Sequence, residues 1–287
     1  MFIRKPSALI AQAMCVGALA TVVATATPAS AQTNVPCSAS ALSAAITAAN
    51  ASGSGNLVLA PGCLYSLTAP LPDITSTLVV NARHSTITRS STAAFGILSV
   101  SPGGFLTLSD ATITNGDAPD FGGGIANRGR LRVIGSSVVR NHANFSGGIG
   151  GGQGSVTRIE RSSIMNNTAN VNGGGVANDG DMTVMDSRII GNTAISGVGG
   201  GAANDGTLRI SRTNVNENDA HRAGGVANVG GGATFITSSN VNANTADVAP
   251  GGVLNTGGTV TLMSTRVRDN SPTNCAGSDI PVPNCVG

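Results

Sequence analysis

The sequence is poor in the residues that build ordinary enzyme cores and charged binding surfaces. Its 287 residues include no Trp and one Tyr, and only 2% of them are aromatic and 10% charged. A formal charge of +2 argues against a nucleic-acid-binding protein. Beyond the N-terminus no apolar run is long enough to cross a bilayer, so we expect no membrane span in the mature protein.

The N-terminus has the pattern of a secretory signal peptide. Arg4 and Lys5 precede an apolar run over residues 8–24, and Ala29-Ser30-Ala31 supplies the small residues of a cleavage site. We therefore expect residues 1–31 to be removed and the mature protein to be secreted and extracellular. Of the 16 Lys and Arg residues, two lie in this segment, which leaves 14 cations, all Arg, against 14 acidic residues. The mature chain thus has no net charge to steer a polyanion.

Four cysteines remain after the signal segment: Cys37, Cys63, Cys275 and Cys285. An even number in a secreted chain predicts disulfides, with three possible connectivities. We favour Cys37 with Cys63 and Cys275 with Cys285, because each pair lies at one end of the chain.

The middle of the chain is a repeat. Double glycines begin at Gly123, Gly147, Gly174, Gly200, Gly224 and Gly251, 24–27 residues apart. A tighter series, 25 or 26 residues apart, is Asn141, Asn167, Asn192, Asn218, Asn244 and Asn270. Three residues before each of these Asn stand Val138, Ile164, Ile189, Val215, Val241 and Val267. A further Asn follows most double glycines, as Asn127, Asn178, Asn204, Asn228 and Asn255, with Gly151 as the exception.

Apolar residues alternate with a period of two over short runs in each unit, which predicts strands rather than helices. A unit of about 25 residues with several such strands closes as one coil of a parallel β-solenoid, so equivalent residues stack about 4.8 Å apart. The aliphatic columns then form the core, and the Asn141 series is predicted to form a side-chain amide ladder.

The Gly-Gly-Ile and Asn-anchored units resemble the polymorphic outer membrane protein repeat, and the chain looks like a pectate-lyase-like right-handed parallel β-helix. The resemblance covers residues 103–272 well and residues 57–102 only as degenerate coils. It implies an all-β fold of about nine to ten coils of about 25 residues. We predict an N-terminal cap over residues 32–56, the β-helix over 57–272 and a disulfide-closed C-terminal cap over 273–287. The single helical pattern, residues 41–50 with Leu42, Ala45, Ile46 and Ala49 on one face, is assigned to the first cap.

Candidate chemistry is sparse. Asp179 and Asp205 occupy one position in adjacent coils, and with Asp181 they are candidate calcium ligands. The alternative is that each Asp-Gly pair simply forms a turn. Arg132 and Arg158 stack in an outward row continued by Arg209, which forms either an anion-binding row or a cluster neutralised by Glu160.

Two further groups of side chains have competing interpretations. Phe121 and Phe145, in equivalent loops, form either a sugar platform or packing beneath a loop. His84, His142 and His221 fall in separate coils and are expected at the surface.

The residues that recur in every coil have structural roles in the predicted solenoid, and the other residues contain no complete set of catalytic side chains. The Gly-His-Gly element of polygalacturonases and the Asp-Pro-His element of alginate epimerases, which relatives on this fold would show, are absent. We therefore favour a secreted, monomeric, non-enzymatic β-helix that acts as a surface, matrix or adhesion module and contacts a polysaccharide or cell-surface component. We predict no cofactor, with calcium as the one candidate metal.

Two alternatives remain open. One is a polysaccharide lyase-like enzyme acting on acidic polysaccharide with Arg132 or Arg158 and Asp179 and Asp205. The other is an adhesin resembling the autotransported members of the repeat family, which the shortness of residues 273–287 disfavours.

Overall fold

The computed structural model describes residues 32–287, and the predicted signal peptide lies outside them. Its chain forms a parallel β-solenoid of about nine turns, with coils of about 26 residues and one short helix, which confirms the predicted fold class. Each complete coil contributes strands to three sheets. No helix in this part of the chain is long and apolar enough to cross a membrane.

One sheet, the long sheet, has 17 strands and receives two from each regular coil. They are Gln32–Val35, Ser54–Leu59, Leu64–Leu67, Thr77–Arg89, Phe105–Thr114, Arg130–Ile134, Ser137–Val139, Val156–Glu160, Ser163–Met165, Asp181–Met185, Arg188–Ile190, Thr207–Ser211, Asn214–Asn216, Ala233–Thr237, Asn240–Asn242, Thr259–Met263 and Arg266–Arg268.

The other two sheets take one strand from each coil. The seven-stranded sheet contains Leu98–Val100, Ile125–Asn127, Ile149–Gly151, Val176–Asn178, Ala202–Asn204, Val226–Asn228 and Val253–Asn255. The six-stranded sheet contains Asp117–Phe121, His142–Phe145, Thr168–Ala169, Thr193–Val198, Asp219–Arg222 and Thr245–Val248.

Register between coils follows the sequence columns, because every strand pairs in parallel with its counterpart one repeat away. Ile189, for example, pairs with Ile164 on one side and Val215 on the other. All three side chains are 0% exposed. At the last coil Val267 is only partly buried, since no further coil covers it.

The Asn141 series forms a continuous buried ladder. Asn192 Nδ2 donates to Asn218 Oδ1 at 2.9 Å, and Asn192 Oδ1 accepts from Asn167 Nδ2 at 3.0 Å. The same geometry runs from Asn141 to Asn270. Beyond Asn270 the tail supplies one more rung, since Asn270 Nδ2 donates to Asn274 Oδ1 at 2.9 Å. The role of Asn274 was not foreseen from the sequence because it lies outside the repeat.

The double glycines lie where the chain turns towards the seven-stranded sheet. A Cβ built on Gly174 would lie 2.5 Å from Thr193 O and 2.6 Å from Gly200 O, both in the neighbouring coil. Backbone atoms cannot move aside cheaply, so the stacking of coils at this corner requires glycine.

The two ends of the solenoid differ from the coils between them. The helix spans Ala39–Ser52, longer than predicted, and buries Leu42, Ile46 and Ala49. Gln32–Val35 pairs with strand Ser54–Leu59 of the long sheet. The predicted cap boundary at residue 56 lies within this second strand.

Both favoured disulfides are present, Cys37 with Cys63 and Cys275 with Cys285. At the C-terminal end the tail also closes the core, where Cys275 and Val282 are each 7% exposed.

Candidate functional site

A cleft of about 420 Å³ lies over the outer face of the seven-stranded sheet. The first residue of each strand points into the main core, as Val176 does, so the middle residue points outward. In the strands beneath the cleft those outward residues are small, such as Ala177 and Ala203, and form a shallow floor. Side chains at the C-terminal ends of strands in the six-stranded sheet form one wall. The turns that follow the strands of the seven-stranded sheet form the other.

Asp179 and Asp205 stand side by side on the second wall. They follow Asn178 and Asn204, which are register partners in adjacent strands. Both side chains are exposed in the cleft, and neither makes an ion pair with any residue in the described range 32–287. Partial burial raises the pKa of Asp179 above its usual range, and the negative charge of Asp205 raises it further. This interaction follows from the geometry, because the residues before them are register partners and adjacent coils are about 4.8 Å apart.

The turn that presents each carboxylate is held by the asparagine before it. Asn178 Nδ2 donates to Gly180 O at 3.1 Å and to Asn204 Oδ1 at 2.8 Å. Asn204 repeats the first contact with Gly206 O at 3.0 Å. This second asparagine ladder lies beneath the wall, so the Asp-Gly pairs are turn residues, as one interpretation predicted, and also line the cleft.

Phe121 and Phe145 form the opposite wall. They are paired across adjacent strands, and Phe145 is 38% exposed. The Phe121 ring lies against Gly150, where an added Cβ would be 2.2 Å from ring atom Cε2. Alanine occupies the Gly150 position in neighbouring coils, so this glycine makes room for the ring.

Arg128 closes the N-terminal end of the cleft. Its guanidinium lies 4.9 Å from the centroid of the Phe121 ring, a cation–π distance, and 3.8 Å from Asp120. Asn172 joins the aromatic wall, with Oδ1 accepting a hydrogen bond from Val198 N at 2.9 Å. The sequence interpretation missed Arg128, Asp120 and Asn172.

One available signal was the column that follows the second asparagine series. It reads Arg128, Gly152, Asp179, Asp205 and Val229, and it varies more from coil to coil than the column before it, which is Asn in all of these coils except at Gly151.

The third proposed calcium ligand lies elsewhere. Asp181 is on the outer face of the long sheet, where its Oδ1 accepts from Arg209 Nη1 at 3.0 Å. No group of three or more His, Cys, Asp or Glu side chains among residues 32–287 is placed to hold a metal ion. Calcium takes six to eight oxygen ligands. The structure therefore brings together two of the three proposed carboxylates, and calcium binding there stays a prediction.

The arginine row also lies on the long sheet. Arg132 and Arg158 are register partners, and both contact Glu160, with Arg132 Nε donating to Oε1 at 3.1 Å. The hydrogen bond from Arg132 holds the pKa of Glu160 below its usual range, against the effect of partial burial, and Arg158 adds to the lowering. Arg132 and Arg158 line a different cavity from Asp179 and Asp205, so the residues named for a lyase do not converge in one site.

Comparison with known proteins identifies no family. No family model and no curated protein matches the sequence. Among solved structures, an alginate lyase from Paenibacillus sp. str. FPU-7 is similar over 82% of this chain and 99% of its own, with 14% identity and a TM-score of 0.39. Similarity at this level concerns overall architecture only, and the resemblance to the polymorphic repeat family stays a hypothesis.

Proposed function

We propose that this protein is a secreted carbohydrate-binding solenoid that holds a glycan in the cleft over the seven-stranded sheet. The observation that supports this function is that an exposed aromatic ring, Phe145, lines one concave site together with Asp179 and Asp205, whose carboxylates make no ion pair within residues 32–287. The two disulfides and the predicted signal peptide fit an extracellular location.

The chemistry of the lining suits a sugar. The C–H face of a pyranose packs on an aromatic ring, and its hydroxyls donate to carboxylate oxygens. Asn172 Oδ1 is already bonded within the protein, which leaves its Nδ2 group to donate to a sugar oxygen. A small apolar floor with a few polar groups is the usual composition of a ligand site, and the volume of about 420 Å³ falls within the usual range.

Charge in the cleft favours a neutral glycan. Three acidic residues, Asp120, Asp179 and Asp205, line it with one cation, Arg128. The resulting excess of negative charge repels uronate chains unless a cation intervenes. The wall from Arg128 to Val229 spans four coil steps, about 19 Å, which is the length of a short oligosaccharide.

Binding of the purified protein to an array of neutral and acidic oligosaccharides, followed by calorimetry with any ligand found, tests this function. Phe145→Ala and Asp179→Asn should each weaken binding at least about tenfold, or about 1.4 kcal/mol. Phe235→Ala and Asp181→Asn are matched controls, since these exposed residues lie on the long sheet. Absence of binding to every glycan, or equal effects of variants and controls, would show that the cleft is not a sugar site.

A second candidate function is catalysis on acidic polysaccharide. It is favoured by the raised pKa of Asp179, because perturbed carboxyl groups in clefts often take part in proton transfer. Incubation with uronate-containing polysaccharides tests it. Unsaturated product ends that disappear in Asp179→Asn, and persist in Asp181→Asn, would support a lyase. Binding without product would support the first function alone.

A further inference from the structure

We propose a second ligand site, on the outer face of the long sheet, that binds the dianionic phosphate group of a small molecule or a sugar phosphate. It is formed by Arg130, Arg132 and Arg158 and lies in a cavity of about 520 Å³, separate from the cleft. The inference does not depend on the proposed glycan-binding function.

The arginines outnumber the acid that they share. Arg132 donates from Nε and Nη2 to the two oxygens of Glu160, at 3.1 and 3.3 Å. Arg158 donates from Nε to the same Oε1, and Arg161 Nη1 lies 3.7 Å from Oε2. The Glu160 side chain is only 7% exposed because the arginines cover it. One carboxylate thus holds adjacent guanidinium groups together and neutralises only one of their charges.

Because Arg132 and Arg158 share the Glu160 carboxylate, some of their guanidinium N–H groups stay available to a ligand in the cavity. Arg158 uses only Nε, so neither of its Nη groups makes a hydrogen bond within the described residues. Arg132 still has Nη1. Their side chains are 50% and 45% exposed, respectively, so these donors are accessible. Two guanidinium groups from adjacent coils can therefore donate to different oxygens of one ligand.

Arg130 supplies a third charge from the edge of the cavity. Its guanidinium lies 5.0 Å from the Phe105 ring centroid, which orients it, and it has no acidic partner among residues 32–287. None of the residues lining the cavity is acidic, and its three arginines together with Glu160 carry a charge of +2. Arg161, which does not line the cavity, adds a further positive charge beside Glu160. In the column of Arg130, the next residues are Val156 and then Asp181. The Asp181 carboxylate is paired with Arg209.

The free guanidinium donors and the positive charge of the cavity favour binding of a compact dianion with several oxygen atoms. Guanidinium is planar, weakly hydrated and suited to two parallel hydrogen bonds with phosphate. A charge of +2 in a concave surface is matched by the dianion rather than by a single carboxylate. A phosphate monoester reaches that charge above its second pKa of about 6.

Calorimetric titration of the disulfide-intact protein with inorganic phosphate, glucose 6-phosphate and glucose at low salt tests the site. Both phosphates should bind at about pH 8 and more weakly at about pH 5, and glucose should show no Arg130-dependent binding. Arg158→Gln and Arg130→Gln should each weaken phosphate binding about tenfold. Tighter binding of glucose 6-phosphate than of phosphate would identify the ester as the preferred source, and the reverse would identify free phosphate.

Arg212→Gln is the matched control, since it removes one charge from a single ion pair with Asp186 elsewhere on the solenoid. Arg130 makes no ion pair in the part of the chain that the structure describes, so Arg130→Gln separates a binding defect from a folding defect, which a thermal melt checks. The proposal is wrong if phosphate does not bind at millimolar concentration, or if Arg130→Gln and Arg158→Gln behave like Arg212→Gln.

Discussion

Asn192→Ala removes one rung from the middle of the buried asparagine ladder. The side chain makes four hydrogen bonds, donating to Ile164 O and Asn218 Oδ1 and accepting from Asn167 N and Asn167 Nδ2, all at 2.9–3.0 Å. Alanine can replace none of them. The residue is 0% exposed, so water cannot easily take their place.

The expected loss of stability follows from those four bonds. Asn167 N–H loses its acceptor in a buried site, which costs about 1–3 kcal/mol. The other three bonds contribute about 0.5–1.5 kcal/mol each. We therefore expect Asn192→Ala to lower the free energy of unfolding by about 2.5–7.5 kcal/mol, a large part of the usual 5–15 kcal/mol.

Urea unfolding followed by circular dichroism, with the disulfides intact, measures the change. Asn214→Ala is the matched control, because Asn214 accepts a single bond from Asn240 at the exposed surface of the adjacent coil. It should change stability by less than about 0.5 kcal/mol. Amide hydrogen exchange gives a local readout, since the Asn167 N–H should lose protection in Asn192→Ala and keep it in Asn214→Ala. Equal stability of the two variants would refute the energetic role assigned to the ladder.

Two further predictions concern the core and pH. Ile189→Asp places an unpaired charge at a position that is 0% exposed and should lower stability by several kcal/mol, whereas Arg188→Ala, which changes an outward side chain, should alter the melting temperature little. Burial disfavours the charged form of His142, but hydrogen bonds to Asp117 and Asn170 and the Asp117 charge outweigh it and raise its pKa above 6.5. Its stabilising contribution is therefore full below pH 6.5 and is lost as pH rises through the folded-state pKa. A melting temperature with the same pH dependence in His142→Gln would contradict this assignment.

Much of the fold was predictable because the repeat is regular. A solenoid contacts mainly its neighbouring coils, so a residue at one position in the repeat stacks on the residue at the same position in the next coil. The columns of Ile189 and Asn192 are therefore visible in the sequence itself as a spacing of 25 or 26 residues. The shared position of Asp179 and Asp205 follows in the same way.

The candidate sites were only partly predictable because they depend on side-chain direction. Asp181 is two residues from Asp179, yet it points from the long sheet towards Arg209 rather than into the cleft. Glu160 was expected beside the arginines, since it lies close to Arg158 in sequence. Its simultaneous contact with Arg132 and Arg158, which leaves Nη donors unused, is a property of the folded surface.

Three features follow directly from the periodic sequence: the stacking of coils, the identity of the core columns and the ladder of amides. Each repeats locally along the chain. The position of the cleft, by contrast, is a property of the folded solenoid. Phe121 reaches Gly150 in a later coil and meets Arg128 from the opposite wall, contacts that no repeat spacing specifies. They depend on how far the loops rise above the sheet, which is set by packing between coils rather than by the period of the sequence.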